Sequence, residues 1–292
     1  MNEEPSHYAL NPSADLVKRA SKVVKSESAR KGEPKFHMTE EMRRLSTPWS
    51  VSQVRAEQIQ AIDLPAGVIL DAAAGSGVQL IALTTGLKRP GLAIELDPNI
   101  GLLCAANMQI NGDGGDLQRT MDRVLIGDGT DAENAIVAYW NSLRDAGTRA
   151  HPPIGMLHLD PARPRDAQRH EIDEMEPAIG PLLKAWANHL ETGPRGPAIL
   201  LDLSPRLNED QRSLVDAVIE TTFPGIRRTW EYLSQGGGRI DRLSVWIGSL
   251  SSKEPSRCIR MSKKKIMATI EGKVAESELV SMSSPPPFGA HL

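Results

Sequence analysis

The sequence predicts an α/β fold in which five parallel strands and an antiparallel C-terminal hairpin form one sheet flanked by helices. Three observations predict it. Short apolar runs at residues 67–71, 91–95, 122–127 and 154–159 each end at or beside a carboxylate. Segments with helical character separate them at 78–86, 98–110 and 131–145, long enough to serve as crossovers between parallel strands. The last two apolar runs, 226–233 and 242–249, are joined by a stretch containing Gln235-Gly236-Gly237-Gly238. That stretch is too short for a crossover helix, so the two strands are antiparallel neighbours.

In chain order, a helix at 50–62 leads into Val68-Ile69-Leu70, a buried strand that ends in Asp71. Ala72-Ala73-Ala74-Gly75-Ser76-Gly77 follows, and Val78 opens a helix. A glycine turn between strand and helix lets the backbone approach a ligand closely and aims helix N–H groups at it. The second strand ends in Glu95, 24 residues after Asp71. In nucleoside-binding α/β folds an acid at that place accepts hydrogen bonds from ribose hydroxyls. Asp97 either shares that role or starts the next helix ahead of Pro98. The third strand ends in Gly127-Asp128-Gly129, with Asp122, Asp131 and Glu133 close enough to compete with Asp128. The fourth, Met156-Leu157-His158-Leu159, runs into Asp160-Pro161-Ala162-Arg163. A helix at 171–191, a strand at 197–203 and a helix at 208–222 complete the parallel part. Four strand-end carboxylates then line one edge of the sheet, the carboxyl edge, where ligands bind in such folds.

This order resembles the class I S-adenosylmethionine-dependent methyltransferases, whose Rossmann-like sheet has the same five parallel strands and antiparallel hairpin. Residues 71–77 are similar to their first motif, Asp/Glu-x-Gly-x-Gly-x-Gly, with Ala73 where the first glycine usually sits. The resemblance implies that Asp71, Ala73, Gly75 and Gly77 cradle S-adenosyl-L-methionine. It also implies that Glu95 holds the ribose and that Asp128 meets the adenine amino group. Asp160 and Pro161 stand where nucleic-acid and amine methyltransferases carry an Asn/Asp-Pro-Pro-type motif, which implies the catalytic role. The chain further resembles a subgroup assigned as RNA methyltransferases with a THUMP-like C-terminal domain. The residues that carry this are Ser46-Thr47-Pro48-Trp49, Asp160-Pro161-Ala162-Arg163, Leu203-Ser204-Pro205-Arg206, Trp230-Glu231-Tyr232 and Val245-Trp246-Ile247-Gly248. The match spans residues 46–250, and the expectation is that the THUMP-like domain itself is absent.

Three parts follow from composition. Residues 1–45 read as a basic helical leader with helices near 13–30 and 38–45. Residues 46–250 read as the methyltransferase domain, and 251–292 as a basic tail, partly disordered, with an edge strand at 263–270. Residues 18–35 carry a net charge of +5 and residues 251–292 a net of +3, while 36–250 stand at −8, although the whole chain is only −3. Basic flanks on an acidic body suit a polyanion such as RNA; the same charges also fit a solvated helix face and a soluble tail. Aromatic residues make up only 4% of the chain, which speaks against extensive base stacking. Cys104 and Cys258 are far apart, so neither a zinc site nor a disulfide framework is implied. No signal-peptide core and no run of 18 apolar residues occurs, so the expectation is a cytoplasmic protein with no membrane and no metal.

The chemistry expected is methyl transfer to a nitrogen of an RNA base, with Asp160 orienting or deprotonating the nucleophile. Positioning can supply about 7–11 kcal/mol of such a barrier. Carbon-5 methylation of a pyrimidine would need a cysteine nucleophile, and the expectation is that neither cysteine lies beside a strand-end motif. Arg163 and Arg165, with Arg169 and His170, read as a phosphate-binding loop or as loop residues paired with nearby acids. Trp49 reads as a base-stacking or cofactor-covering residue or as an anchor for the leader. Asp71 alternatively caps the glycine turn, Asp160-Pro161 alternatively stops a strand, and His158 reads more readily as a core histidine. Trp186 reads as core. A protein or small-molecule amine is the alternative substrate, and a catalytically inactive cofactor-binding RNA-binding module is the alternative function.

Overall fold

The computed structural model of the chain describes residues 6–112, 116–162 and 172–273. Elements in order are β1 (Tyr8–Leu10), α1 (Ala14–Val23), β2 (Ser26–Ser28), β3 (Lys35–His37), α2 (Glu40–Leu45) and α3 (Trp49–Gln60). The body follows with β4 (Val68–Asp71), α4 (Val78–Leu87), β5 (Gly91–Glu95), α5 (Pro98–Asn111), α6 (Asp116–Met121), β6 (Arg123–Ile126) and α7 (Ala132–Asp145). Next come β7 (Ile154–Leu159), α8 (Ile179–Trp186), β8 (Thr192–Gly193), β9 (Gly196–Leu203) and α9 (Glu209–Thr222). The chain then forms β10 (Arg228–Ser234), β11 (Arg242–Gly248), β12 (Ser256–Ser262) and β13 (Lys265–Gly272).

One sheet runs β1-β6-β5-β4-β7-β9-β11-β10-β12-β13, with β8 beside β9. The strands β6, β5, β4, β7 and β9 are mutually parallel. The antiparallel hairpin of β10 and β11 is present, with β11 the strand that pairs with β9. The central strands β4, β6 and β7 are buried at every position, as strands covered on both faces must be. Alternation sorts the faces. Ile69, Ala93, Met156 and Leu200 pack with α1, α3, α4 and α5. Leu70, Leu92, Leu157 and Leu201 pack with α7, α8 and α9. Asp71, Glu95, His158 and Asp202 keep the parity of the first set, so all four belong to the α3–α4–α5 face.

Helix starts follow local rules. Asp97 caps α5 by accepting from the backbone N–H groups of Asn99 and Ile100, with Pro98 as the first helical residue. Asp131 caps α7, and Asn208 with Gln211 forms a capping box on α9. Three expectations change. The helix read at 13–30 ends at Val23, because Ser26–Ser28 leaves it to pair with Lys35–His37. The stretch read as one helix at 171–191 contains the shorter α8; His189 is in a 3₁₀ turn that follows it. β1 and β12 were not read from the sequence at all. β1 pairs antiparallel with β6 at the far edge, and β12 with the expected edge strand β13 extends the other end. Among the described residues no helix is long and apolar enough to cross a membrane.

Leu16, Ala20, Phe36, Met38 and Met42 are buried in the same core as α4 and α5. Phe36 also meets Trp49, ring centres 5.6 Å apart. Residues 6–45 are therefore part of the folded core. Phe36→Ala is expected to lower stability by about 3–5 kcal/mol, read by urea denaturation as a shift of a single cooperative transition. A loss below about 1 kcal/mol, or a separate early transition, would mean that the leader is only loosely attached.

Candidate functional site

The glycine turn after β4 is built as expected. Gly75 and Gly77 have φ of +52° and +75°, a region that favours glycine. A Cβ on Gly77 would stand 2.8 Å from the Cys104 Sγ, while one on Gly75 would meet nothing within 4 Å. The turn is thus packed from beneath and open at Gly75. Gly77 is the N-cap of α4 and offers no side-chain acceptor, so the first N–H groups of α4 have no side-chain cap. Ala73, in place of a glycine, donates its N–H to Asp71 Oδ1 at 3.4 Å.

Glu95 closes the turn from the next strand. Its Oε2 accepts from the Gly75 N–H and its Oε1 from the Asp97 N–H, both at 3.0 Å. Burial pushes its carboxyl above the ordinary value, against the pull of those N–H groups. Each oxygen keeps an acceptor position, since a carboxylate offers about four in all. Asp97 serves chiefly as the cap of α5. Asp128 is exposed, and its Oδ1 accepts from the Thr130 N–H and hydroxyl at 2.8 Å, leaving Oδ2 without a partner among the described residues. The competing acids separate cleanly. Asp122 accepts from the Gly91 N–H, which starts β5, so it lies at the opposite, amino edge. Asp131 caps α7, and Glu133 meets His189 at 3.2 Å.

Asp71 is buried and works inside the protein. Its Oδ2 accepts from His158 Nδ1 at 2.9 Å, and the other imidazole nitrogen reaches Asp202 Oδ2 at 3.2 Å. Asp202 is held on its far side by Arg55, whose two terminal nitrogens donate at 2.6 Å each. Arg55 is fully buried on α3. The result is a chain of alternating charge, Asp71, His158, Asp202, Arg55, across β4, β7, β9 and α3. Burial would lower the His158 pKa, but the Asp71 and Asp202 carboxylates on its two nitrogens push it up to about 10. Burial would raise Asp202, but Arg55 and the His158 imidazolium bring it down to about 2. His158 is a core residue, as its strand position suggested, yet a charged one. Asp202 and Arg55 were not singled out in the sequence. Asp202 had a signal, being an acid in the fifth apolar strand. Arg55 had only its place among Val51, Val54, Ala56 and Ile59.

Asp160 follows β7, half-buried, with Pro161 next. Burial and the Asp202 carboxylate push its pKa up to about 6, while His158, Arg242 and Arg55 pull the other way. The following peptide is fixed: the Ala162 N–H donates to the Glu176 carbonyl at 2.8 Å, and the Glu176 N–H returns the bond at 2.9 Å. Arg242 also donates to the Ser46 carbonyl at 3.3 Å, tying the Thr47-Pro48-Trp49 segment to the Asp160 side of the sheet. Trp49 is half-buried against Phe36, the contact expected of an anchor for the leader. Arg163 and Arg165, like Arg169 and His170, lie outside the described residues.

One expectation about cysteines is corrected. Cys104, remote in sequence, sits directly against the glycine turn at Gly77. It is fully buried, and burial with the nearby Asp71 and Glu95 charges pushes its thiol well above the ordinary value. A thiol so placed is inert as a nucleophile, so Cys104 serves packing. A separate cavity of about 370 Å³ lies between β1 and α7, lined by His7, Tyr8, Asn134 and Asn141 among others. Its lining includes none of Asp71, Glu95 and Asp160.

No family model and no curated protein matches the chain. Solved structures do. A protein from Porphyromonas gingivalis described as a methyltransferase matches with a TM-score of 0.55 and 17% identity. The match covers 93% of this chain and 58% of that one, so the chain spans little more than half the length of this relative. A protein from Listeria monocytogenes described as a class I S-adenosylmethionine-dependent methyltransferase matches at 0.48 and 14% identity, over 78% of this chain and 68% of that one. An O-methyltransferase from Bacillus cereus in complex with S-adenosylhomocysteine matches at 0.41 and 15% identity, over 82% and 93%. The first match shows a shared fold, the α/β arrangement expected from the sequence.

A histidine held above its unfolded-state value contributes stability below that value and loses it as pH rises through the folded-state value. The His158 contribution is therefore full below about 6.5 and gone above about 10. Urea unfolding should show wild type losing stability between these limits. His158→Gln should cost about 3–5 kcal/mol at pH 7, because Asp71 and Asp202 stay buried without their cation. It should also flatten that pH dependence. Parallel wild-type and variant curves across the window would show that His158 is not charged.

Proposed function

We propose that the chain is an S-adenosylmethionine-dependent methyltransferase that acts on a nitrogen of an RNA base. The observation that carries the reading is the union, at one sheet edge, of an uncapped helix N-terminus behind an open glycine turn, the Glu95 carboxylate, and a half-buried Asp160 beside a fixed peptide. The residues present fit the cofactor. The free N–H groups of α4 suit its carboxylate, the spare acceptor positions of Glu95 suit ribose hydroxyls, and Asp128 Oδ2 suits an adenine amino group. Asp71 fits better as a support of the turn than as a direct ligand. When bound, the cofactor supplies a methyl group already activated on sulfonium.

The chain's part is positioning and proton handling. Asp160 accepts a hydrogen bond from the nucleophile's N–H, aiming its lone pair, and takes the proton as the new bond forms. With its pKa near 6, Asp160 is ionised at neutral pH yet basic enough to receive that proton. The pair between Ala162 and Glu176 fixes the Pro161 carbonyl as a second acceptor. RNA as substrate is supported by the exposed cations of the leader and of the C-terminal strands on an acidic body. The motif set in residues 46–250 supports placement beside the RNA methyltransferases with a THUMP-like domain.

Calorimetry should show S-adenosylhomocysteine binding at about micromolar Kd or tighter. Glu95→Ala should weaken it by about 1.5–3 kcal/mol. Binding of NAD with none of S-adenosylhomocysteine would overturn the reading. In single-turnover transfer of a labelled methyl group to total RNA, Asp160→Asn should be slower by about 10²–10⁴-fold. Its Tm should not fall, since Asp202 repels the native carboxylate. The wild-type rate should rise with pH through about 6, as Asp160 ionises. Equal rates for wild type and variant would remove Asp160 from the chemistry.

A further inference from the structure

Strand register places a basic arm over the candidate site. Asp202 pairs with Ser244, Ser244 with Glu231, and Glu231 with Arg257, so Arg257 on β12 lies at the level of Asp202. From there β12 continues past Ser234, the last residue of β10, whose partner is Arg260. It turns through Lys263 and Lys264 and returns as β13, with Ser262 opposite Lys265. The turn thus points beyond the carboxyl edge, the edge that carries Asp160 and Glu95. From Arg257 to Ser262, at about 3.4 Å per residue, the arm climbs roughly 17 Å above the Asp202 level. Four strand spacings of about 4.8 Å put β12 roughly 19 Å to the side of β7.

The tip is exposed and braced. Arg260, Lys263, Lys264 and Lys265 are exposed, and among the described residues no carboxylate forms an ion pair with any of them. The Arg260 guanidinium lies over the glycine loop between β10 and β11: a Cβ on Gly236 would stand 2.7 Å from it. At the root, Arg257 is bonded to the buried Glu231 at 2.7 Å and lies over the Trp246 ring at 4.1 Å. Arg206, exposed in the loop after β9, adds a cation on the same edge between Asp160 and the arm. The leader's cations near the β2–β3 turn lie elsewhere. The Lys35 carbonyl accepts from Asn111, the last residue of α5, at the end remote from the carboxyl edge.

We propose that the tip of the β12–β13 arm grips the phosphate backbone of single-stranded RNA, while the target base enters beside Asp160. This rests on the methyltransferase reading and names the surface that holds the substrate. A single strand is favoured over a duplex because the base must reach a half-buried carboxylate at the sheet edge, which a paired base cannot do without being extruded.

The test is fluorescence anisotropy of a short labelled single-stranded RNA of mixed sequence, with the full chain and saturating S-adenosylhomocysteine, across a salt series. The variant combines Lys263→Asn, Lys264→Gln and Lys265→Gln; asparagine suits the positive φ of Lys263. The variant should bind roughly tenfold or more weakly at 0.1 M salt. Its log–log salt slope should be shallower by about 2, since each phosphate contact on a single strand contributes about 0.7. Its S-adenosylhomocysteine affinity should stay within about twofold. Unchanged RNA affinity and slope in the variant would overturn the proposal, as would a wild type that binds an acidic peptide or anionic vesicles in place of RNA. Failure of S-adenosylhomocysteine to bind wild type would count against the methyltransferase reading alone, because the RNA slopes are also read in a parallel salt series without it.

Discussion

A buried chain of alternating charges is the constraint on which the rest of the structure depends. Asp71, His158, Asp202 and Arg55 come from three neighbouring strands and one helix, and each cation lies between or beside carboxylates. Ions removed from water are stable only when paired in this way, and removal of one member leaves an uncompensated charge in the interior. The chain therefore sets the register of β4, β7 and β9 at their carboxyl ends and fastens α3 across them. Everything of chemical interest hangs from that fastening. Asp71 ends the strand that enters the glycine turn, His158 stands two residues before Asp160, and Asp202 precedes the loop after β9.

The same chain explains why Asp160 differs from its neighbours. Asp202 already takes the Arg55 fork and one His158 nitrogen, and Asp71 takes the other. The nearby positive charge is bonded elsewhere, and Asp160 is left half-buried beside a carboxylate that stays ionised. Such a group rises toward neutrality in its pKa, the condition a general base requires. Two acids a short distance apart are driven in opposite directions: Arg55 and His158 bring Asp202 down to about 2, while burial and the Asp202 carboxylate push Asp160 up to about 6.

Much of this was legible in the sequence for identifiable reasons. Five apolar runs with crossovers between them fix the order of a parallel sheet, and the short Gly236-Gly237-Gly238 link requires a hairpin. Glu95 and the glycine turn stand out because local chemistry dictates them: small residues where backbone must turn tightly, an acid where a buried strand stops. What was hidden depends on contacts across the fold. Arg55 looks like one of several polar residues on α3 until Asp202 is brought against it. Cys104 is remote in sequence from the turn it packs beneath. The three residues of β1 are too few to show a period, and the helix expected at 13–30 stops at Val23 because the chain pairs with a strand that only the folded form supplies.

The central claim is that the carboxyl edge of β4 and β5 is a nucleoside-cofactor site, and a crystal structure with S-adenosylhomocysteine tests it most directly. The account predicts the ligand's carboxylate at the N-terminus of α4 and its ribose hydroxyls on Glu95, with the sulfur facing Asp160. Ligand found instead in the cavity between β1 and α7, with Glu95 bonded only to the Gly75 and Asp97 N–H groups, would contradict it.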